Sequence, residues 1–214
     1  MGITERRERA RQETRTLILD AAREMFAADG YEAVTLRKIA ERVEYSPAAI
    51  YLHFADKEAL FAELVAHDMV AFGARLLKLR KVAAPMERLR KAGQAYTDFA
   101  LELPNHYRLL FMNVRPHDTA PPADGEVAAS AVYGFIRETV EEAIAQGLLR
   151  PGLDDADAVA QTVWAGVHGM ASLHIALCVN KRAIAWRPVR ERARLMVEVL
   201  IEGLARPTPP QKKR

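Results

Sequence analysis

The 214-residue chain has one cysteine, Cys178. No disulfide can form within it, and a reducing, cytoplasmic compartment is expected. Cys178 is read as a small apolar core residue. No stretch approaches the roughly 18 consecutive apolar residues that span a bilayer. The opening run MGITERRERARQETR also lacks the apolar segment of a signal peptide. No membrane partner is therefore expected. Strand-like alternation is missing, as are internal repeats. There is no P-loop, dinucleotide fingerprint or G-x-S-x-G. His168 and His174 are six apart, which does not put them on one helix face, and no acid or cysteine accompanies them as a metal site would require. Enzyme activity, a cofactor and a bound metal are accordingly not expected.

Charge of one sign is also scarce. The net charge is +3 with a pI near 9.1. Residues 1–60 hold ten Lys and Arg against eleven Asp and Glu. Any positive footprint must therefore come from where the charges sit. Arg6, Arg7, Arg9 and Arg11 form one cluster. The Lys212–Arg214 tail after Pro207, Pro209 and Pro210 forms another, read as a solvated terminus. A protein coating nucleic acid without regard to sequence would bind mainly through net charge, and this balance argues against one.

What the chain does have is helical periodicity over almost its whole length, with half its residues apolar. An all-α fold of about nine helices is predicted. The first covers about 12–28, its apolar face formed by Leu17, Ile18, Ala21, Ala22, Met25 and Phe26, and Gly30 stops it. Short helices follow at about 36–43, N-capped by Thr35, and from Ser46-Pro47 to about Phe54. Asp56 caps a longer one over about 57–80. Later helices are expected at about 85–102, 106–113, 125–146, 155–179 and 188–204, with a proline-rich loop over 115–124. Four segments result. They are a flexible basic arm (1–12), a compact head (13–72), a larger helical body (73–206) and a disordered tail (207–214).

Two short helices about three residues apart, with a longer helix before them, describe a helix-turn-helix, here between Thr35 and Phe54. In the second helix Ile50 and Phe54 are four apart and can face the core. Ala48, Ala49, Tyr51, Leu52 and His53 then face outward. Small alanines allow close approach to DNA. Tyr51 and His53 can bond phosphate oxygens, and Leu52 can touch a thymine methyl. Lys57 adds a cation where the N–H groups of a helix start already attract phosphate. Periodicity alone leaves this reading level with ordinary short amphipathic helices.

The run TLRKIAERVEYSPAAIYLHFADKEALFAELV closely resembles the DNA-binding domain of the TetR family of repressors. Phe26, Asp29-Gly30-Tyr31, Thr35 and the string Ile50-Tyr51-x-His53-Phe54-x-x-Lys57-x-x-Leu60 carry the likeness, which covers about residues 13–72. It implies phosphate contacts by Tyr51, His53 and Lys57. It also implies that Thr35, Arg37, Ser46, Pro47, Ala48 and Ala49 lie near DNA, with Leu52 a base contact. In the turn, where the family usually has Gly, this chain has Glu44. A side chain in a left-handed turn costs on the order of 1 kcal/mol, and an acid there is not expected to face phosphate.

The later helices resemble the family's regulatory half more loosely. VWAGVHGMASLHIAL is similar to a Trp-His-Gly signature, with Trp164 and His168 sharing a face and Gly169 permitting close helix approach. The pair is read either as packing or dimer contact, or as pocket lining. The resemblance implies a small-molecule effector pocket, for which Tyr96, Phe99, Tyr107, Phe111, Met112, Phe135, Trp164 and His168 are the candidates. Such a lining favours an apolar or aromatic effector over a phosphorylated one. The last two helices resemble the family's dimerising pair. A homodimer implies a pseudo-palindromic operator of double-stranded DNA. The implied function is a dimeric repressor released by its effector, with an activator or a ligand-independent repressor as alternatives.

Overall fold

The computed structural model describes residues 2–112, 123–177 and 184–207. Cys178, the tail cations and most of the expected 115–124 loop lie outside them. Among the described residues the fold is all-α, as predicted, with nine α-helices. These are α1 (Ile3–Asp29), α2 (Leu36–Arg42), α3 (Pro47–Tyr51), α4 (Lys57–Leu77), α5 (Pro85–Glu102), α6 (Pro104–Phe111), α7 (Ala123–Ala145), α8 (Ala156–Leu177) and α9 (Val189–Leu204). A short 3₁₀ turn, Lys78–Lys81, follows α4. No described helix is long and apolar enough to cross a membrane.

Two helix starts that differ from expectation have identifiable causes. α1 begins at Ile3, nine residues before the predicted start, so the expected flexible arm is helical. The Glu5 carboxylate accepts the Gly2 N–H at 2.9 Å, satisfying a donor at the helix start. Glu5 thus supplies a start signal upstream of the apolar periodicity that set the prediction. α6, expected from about 106, begins at Pro104, which follows the end of α5 and takes a first-turn position where its missing N–H costs nothing.

The chain forms two compact units. The first comprises Met1–Ala71 and Leu103–Ala128, and the second Phe72–Glu102 and Ala129–Arg214. The sequence reading placed a single boundary after residue 72. It assigned α6 to the body, whereas α6 packs on α1 within the first unit.

The core of the first unit is built from Ile18, Ala22, Phe26, Ile39, Ile50, Leu60 and Phe61, all essentially solvent-free. Phe26, Tyr31 and Phe61 interlock, with Phe61 edge-on to the other two at 5.0 and 4.9 Å. A charged cluster is buried beside them. Asp68 on α4 is fully buried and accepts both arms of the Arg23 guanidinium at 2.9 Å. His106 Nδ1 lies 3.0 Å from the same carboxylate. Arg23 also donates to Asp20 at 2.5 Å. Burial opposes ionisation of Asp68, but the bonds to His106 and Arg23 outweigh it and hold its pKa below the ordinary carboxylate value. One carboxylate therefore ties α1, α4 and α6 together.

In the second unit α5, α8 and α9 pack closely. A Cβ added at Gly93 would sit 3.1 Å from Val197, and one at Gly166 would sit 2.8 Å from Leu200. Gly166, not the expected Gly169, is where α9 crosses α8. Among the described residues nothing lies within 4 Å of a Cβ at Gly169. Asp155 N-caps α8, accepting from the N–H of Ala158 at 3.0 Å. After α9 the chain pairs back on the α7–α8 link, Arg206 N–H donating to Leu148 O at 2.7 Å.

A candidate nucleic-acid interface and the effector candidates

The turn between α2 and α3 rests on local chemistry. Thr35 caps α2, accepting the Lys38 N–H at 3.2 Å. α2 closes in a six-residue loop of hydrogen bonds, with Tyr45 N–H donating to Ala40 O at 3.0 Å and Glu44 N–H to Glu41 O at 3.3 Å. This is the Schellman arrangement, and it requires a left-handed residue at Glu44. Glu44 has φ 59°, the one positive φ at a non-glycine among the described residues. Its side chain is exposed.

Ser46 caps α3, accepting the Ala49 N–H at 3.2 Å, and Pro47 takes the first helical position. α3 ends at Tyr51, three residues before the predicted Phe54. The chain then turns tightly, both His53 and Phe54 N–H donating to Ile50 O at 2.9 and 3.0 Å. Ile50 and Phe54 are buried as expected. Ser46, Pro47 and Ala48 are exposed, and Ala49 is half-buried. Tyr51 and Leu52 are the most exposed large apolar side chains of this segment, at 59% and 78%. Thr35 and Arg37 are exposed on α2, and Arg37 pairs with Glu41 at 3.2 Å.

His53 and Lys57 are more engaged than their spacing implies. The His53 backbone carbonyl accepts Arg15 Nη1 at 2.7 Å. Arg15 also pairs with Glu63 and lies 4.3 Å from the centre of the Phe54 ring. Burial first, then the charges of Arg15 and Arg11, push the His53 pKa down, so its ring is neutral near pH 7. Its Nδ1 is buried with no hydrogen-bond partner among the described residues. The Lys57 ammonium donates to Tyr31 O at 3.2 Å and sits 4.0 Å over the Tyr31 ring. Tyr31 in turn donates to Glu58 at 2.9 Å, and its pKa is raised, by burial first and that bond second.

The eight effector candidates divide between the units. Tyr107, Phe111 and Met112 belong to the first, where the Tyr107 and Phe111 rings lie 5.1 Å apart. Tyr96, Phe99, Phe135, Trp164 and His168 belong to the second. There Trp164 Nε1 donates to the Tyr96 hydroxyl at 3.3 Å, which lies 3.1 Å from His168 Nδ1. Burial lowers the His168 pKa, so the ring is neutral and its Nδ1 can accept from the hydroxyl. Trp164 remains 46% exposed, unlike a residue enclosed in a core. Phe99 and Phe135 are fully buried, Phe99 against Phe72 at 4.8 Å. A pocket of about 490 Å³ opens beside the start of α9, lined by His174, Trp186, Arg187 and Arg192 among others. It shares no residue with the eight candidates.

The Arg23–Asp68–His106 cluster went unnoticed at the sequence level, although a signal exists. Arg23 and Asp68 each interrupt an otherwise apolar helical stripe, Ile18/Ala22/Phe26 and Leu64/Val65/Phe72. A charge on such a stripe is buried only with a partner.

Comparison with known proteins gives the arrangement its context. Residues 18–64 match the family described as Bacterial regulatory proteins, tetR family. Residues 89–200 match the one described as Tetracyclin repressor-like, C-terminal domain. The chain is 35% identical over 158 residues to the HTH-type transcriptional activator FasR of Mycolicibacterium smegmatis, a span covering 68% of this chain and 72% of FasR. The transcriptional regulator FadR from Bacillus subtilis, solved with stearoyl-CoA, superposes with a TM-score of 0.70 at 20% identity, over 88% of this chain and 98% of that one. AibR, solved with isovaleryl coenzyme A and operator DNA, gives a TM-score of 0.70 at 22% identity, over 87% and 97%. Those two likenesses are of fold. With a helix-turn-helix in its first unit and both family regions matched in order, the chain belongs to the TetR family and is a DNA-binding regulator of transcription.

Proposed function

We propose that the chain is a dimeric repressor that occupies an operator of two inverted half-sites and leaves it on binding a small apolar effector. The observation that carries this reading is α3. It is a five-residue helix anchored by Ile50 and Phe54, and its capped start and outward side chains are left to solvent. In this reading Ala48 and Ala49 admit the DNA backbone, the Tyr51 hydroxyl and a neutral His53 donate to phosphates, and Leu52 meets a thymine methyl. Thr35, Arg37, Ser46 and Pro47 flank that surface. Lys57, fixed against Tyr31, places a cation at the start of α4, where helix N–H groups also favour phosphate.

Dimerisation through α8 and α9 is supported by apolar groups left exposed there. They include Leu173 and Leu177 on α8 and Leu195 and Val199 on α9. An isologous pair of these helices would cover them. Acyl-CoA thioesters, which join an apolar acyl chain to a phosphorylated carrier and so differ from the unphosphorylated effector expected from the sequence, are the class to examine first, because FadR and AibR were solved with such ligands. The buried aromatics of the second unit, with Tyr96, Trp164 and His168 as its polar groups, suit the acyl part. Release follows if the effector binds the DNA-incompatible arrangement of the dimer more tightly than the compatible one, and α4, which runs through both units, is the natural lever.

Activation in place of repression is a second reading, favoured by the description of FasR as an activator. Transcription in vitro from a promoter carrying a selected binding site tests both. Repression expects transcript to fall as protein is added and to recover with effector. A rise on adding protein would overturn repression, and unchanged output with Tyr51→Ala would overturn the assignment of α3.

A further inference from the structure

α1 continues well beyond the part that packs. Residues 3–13 are exposed throughout, yet they remain helical. At about 100° per residue their charges segregate. Arg7, Arg11 and Arg15 form one row four residues apart; Glu5, Arg9 and Glu13 lie on the other side, and Glu8 borders the row, three residues from Arg11. The row has a definite end. Arg15 is consumed by structure, bonded to the His53 carbonyl and to Glu63 beside the C-terminal end of α3. Arg11 is close enough for its charge to act on His53. Arg7 and Arg11 themselves have no ion-pair partner among the described residues. A helical row of unpaired cations thus starts at the edge of the proposed reading surface. It runs outward by two further turns, about 12 Å.

We propose that Arg7 and Arg11 form a second phosphate-binding edge, gripping the DNA backbone that flanks the bases met by α3. Charge complementarity and continuity with α3 identify the occupant as duplex DNA. The acid-bearing side of the same helix would repel a backbone, so α1 has one face for it. The helical form sets the Cα atoms of the two arginines about 6 Å apart along the axis, so less backbone freedom is lost on binding than from a disordered arm. The row also supplies the local positive charge that the near-neutral composition of the head leaves open. This inference rests on the reading of α3 as the DNA-contacting helix.

The test is a fluorescence-anisotropy titration between 50 and 200 mM salt. It uses a duplex selected from a random pool and a scrambled duplex of equal length, each also with its flanks trimmed. Wild type is compared with Arg7→Ala/Arg11→Ala, with Arg9→Ala from the opposite face and with Tyr51→Ala. Alanine is a stronger helix former than arginine, so α1 keeps its form. Each phosphate contact contributes about 0.9 to the slope of log K against log salt. The double variant is expected to lose about 2 from that slope per chain, about 4 for a dimer, which shrinks the salt-induced loss of affinity by about tenfold per chain. It should weaken both duplexes alike. Trimming the flanks should weaken wild type and Arg9→Ala but not the double variant. Equal slopes and equal trimming effects in wild type and double variant, with Tyr51→Ala still impaired, would overturn the inference and leave the reading of α3 intact. Binding indifferent to sequence and to Tyr51→Ala would overturn that reading, and the inference with it.

Discussion

Glu44 sits at φ 59° because the Schellman closure of α2 places a left-handed residue there, and its carboxylate points to solvent. Glu44→Gly should therefore stabilise the protein by about 0.5 kcal/mol, the left-handed cost exceeding the extra backbone entropy of glycine. Chemical denaturation checks it, and a loss of stability would contradict the strain. This position was legible from the resemblance alone, as a side chain where glycine is usual. Asp68 was not, because its meaning depends on Arg23 and His106 arriving from elsewhere in the chain. Removing its charge by Asp68→Asn leaves Arg23 buried with only Asp20, and should cost about 3 kcal/mol at neutral pH. The pH dependence follows from sign. The Asp68 pKa is lower in the folded than in the unfolded chain, so its contribution is present above about pH 4 and is lost as pH falls further. The folded pKa values of His53, His168 and His174 are also lowered, burial being the largest cause for each. The unfolded chain then takes up protons first, and stability should begin to decline as pH falls below about 6.5. Asp68→Asn should retain that first decline and show a shallower acid limb. An acid limb as steep as that of wild type would contradict the assigned role of Asp68.

At the scale of helices, capping and periodicity carried most of the information. Thr35, Ser46 and Asp56 were readable as starts and do cap, Asp56 accepting the Ala59 N–H at 2.7 Å. α5 has its predicted limits because an apolar stripe and a proline define it. α1 and α6 departed from prediction because a helix with no apolar face has no period to detect, and because proline both ends helices and begins them. Glycine within α8 was legible as a close approach, but which glycine depended on the partner helix. Gly166→Val should drive the new side chain into Leu200 and destabilise the protomer by about 1–3 kcal/mol. A Cβ at Gly169 meets nothing within 4 Å among the described residues, so Gly169→Leu starts into open space. If α8 lies in a dimer interface, it should leave the fold intact and shift sedimentation toward monomer. A wild-type chain that sediments as a monomer at micromolar concentration, or a Gly169→Leu variant as dimeric as wild type, would count against that interface.

For the whole molecule, fold class and regulatory role were legible because the head concentrates its signature in one contiguous run from Thr35 to Leu60. The division into units was not, since α6 joins α1 across more than 70 intervening residues, a contact no local pattern announces. The effector candidates suffered similarly. Aromatic residues at helical spacing look alike whether they pack or line a cavity, and the eight chosen are split between the two units. The role proposed for α3 is exposed to one experiment above others, selection of bound duplexes from a random DNA pool by wild type and by Leu52→Ala. An inverted repeat should be enriched by wild type, its half-sites one or more helical turns apart, with preference relaxed at a thymine position in each half by Leu52→Ala. A pool without sequence enrichment, or the same preference at every position in both proteins, would contradict it.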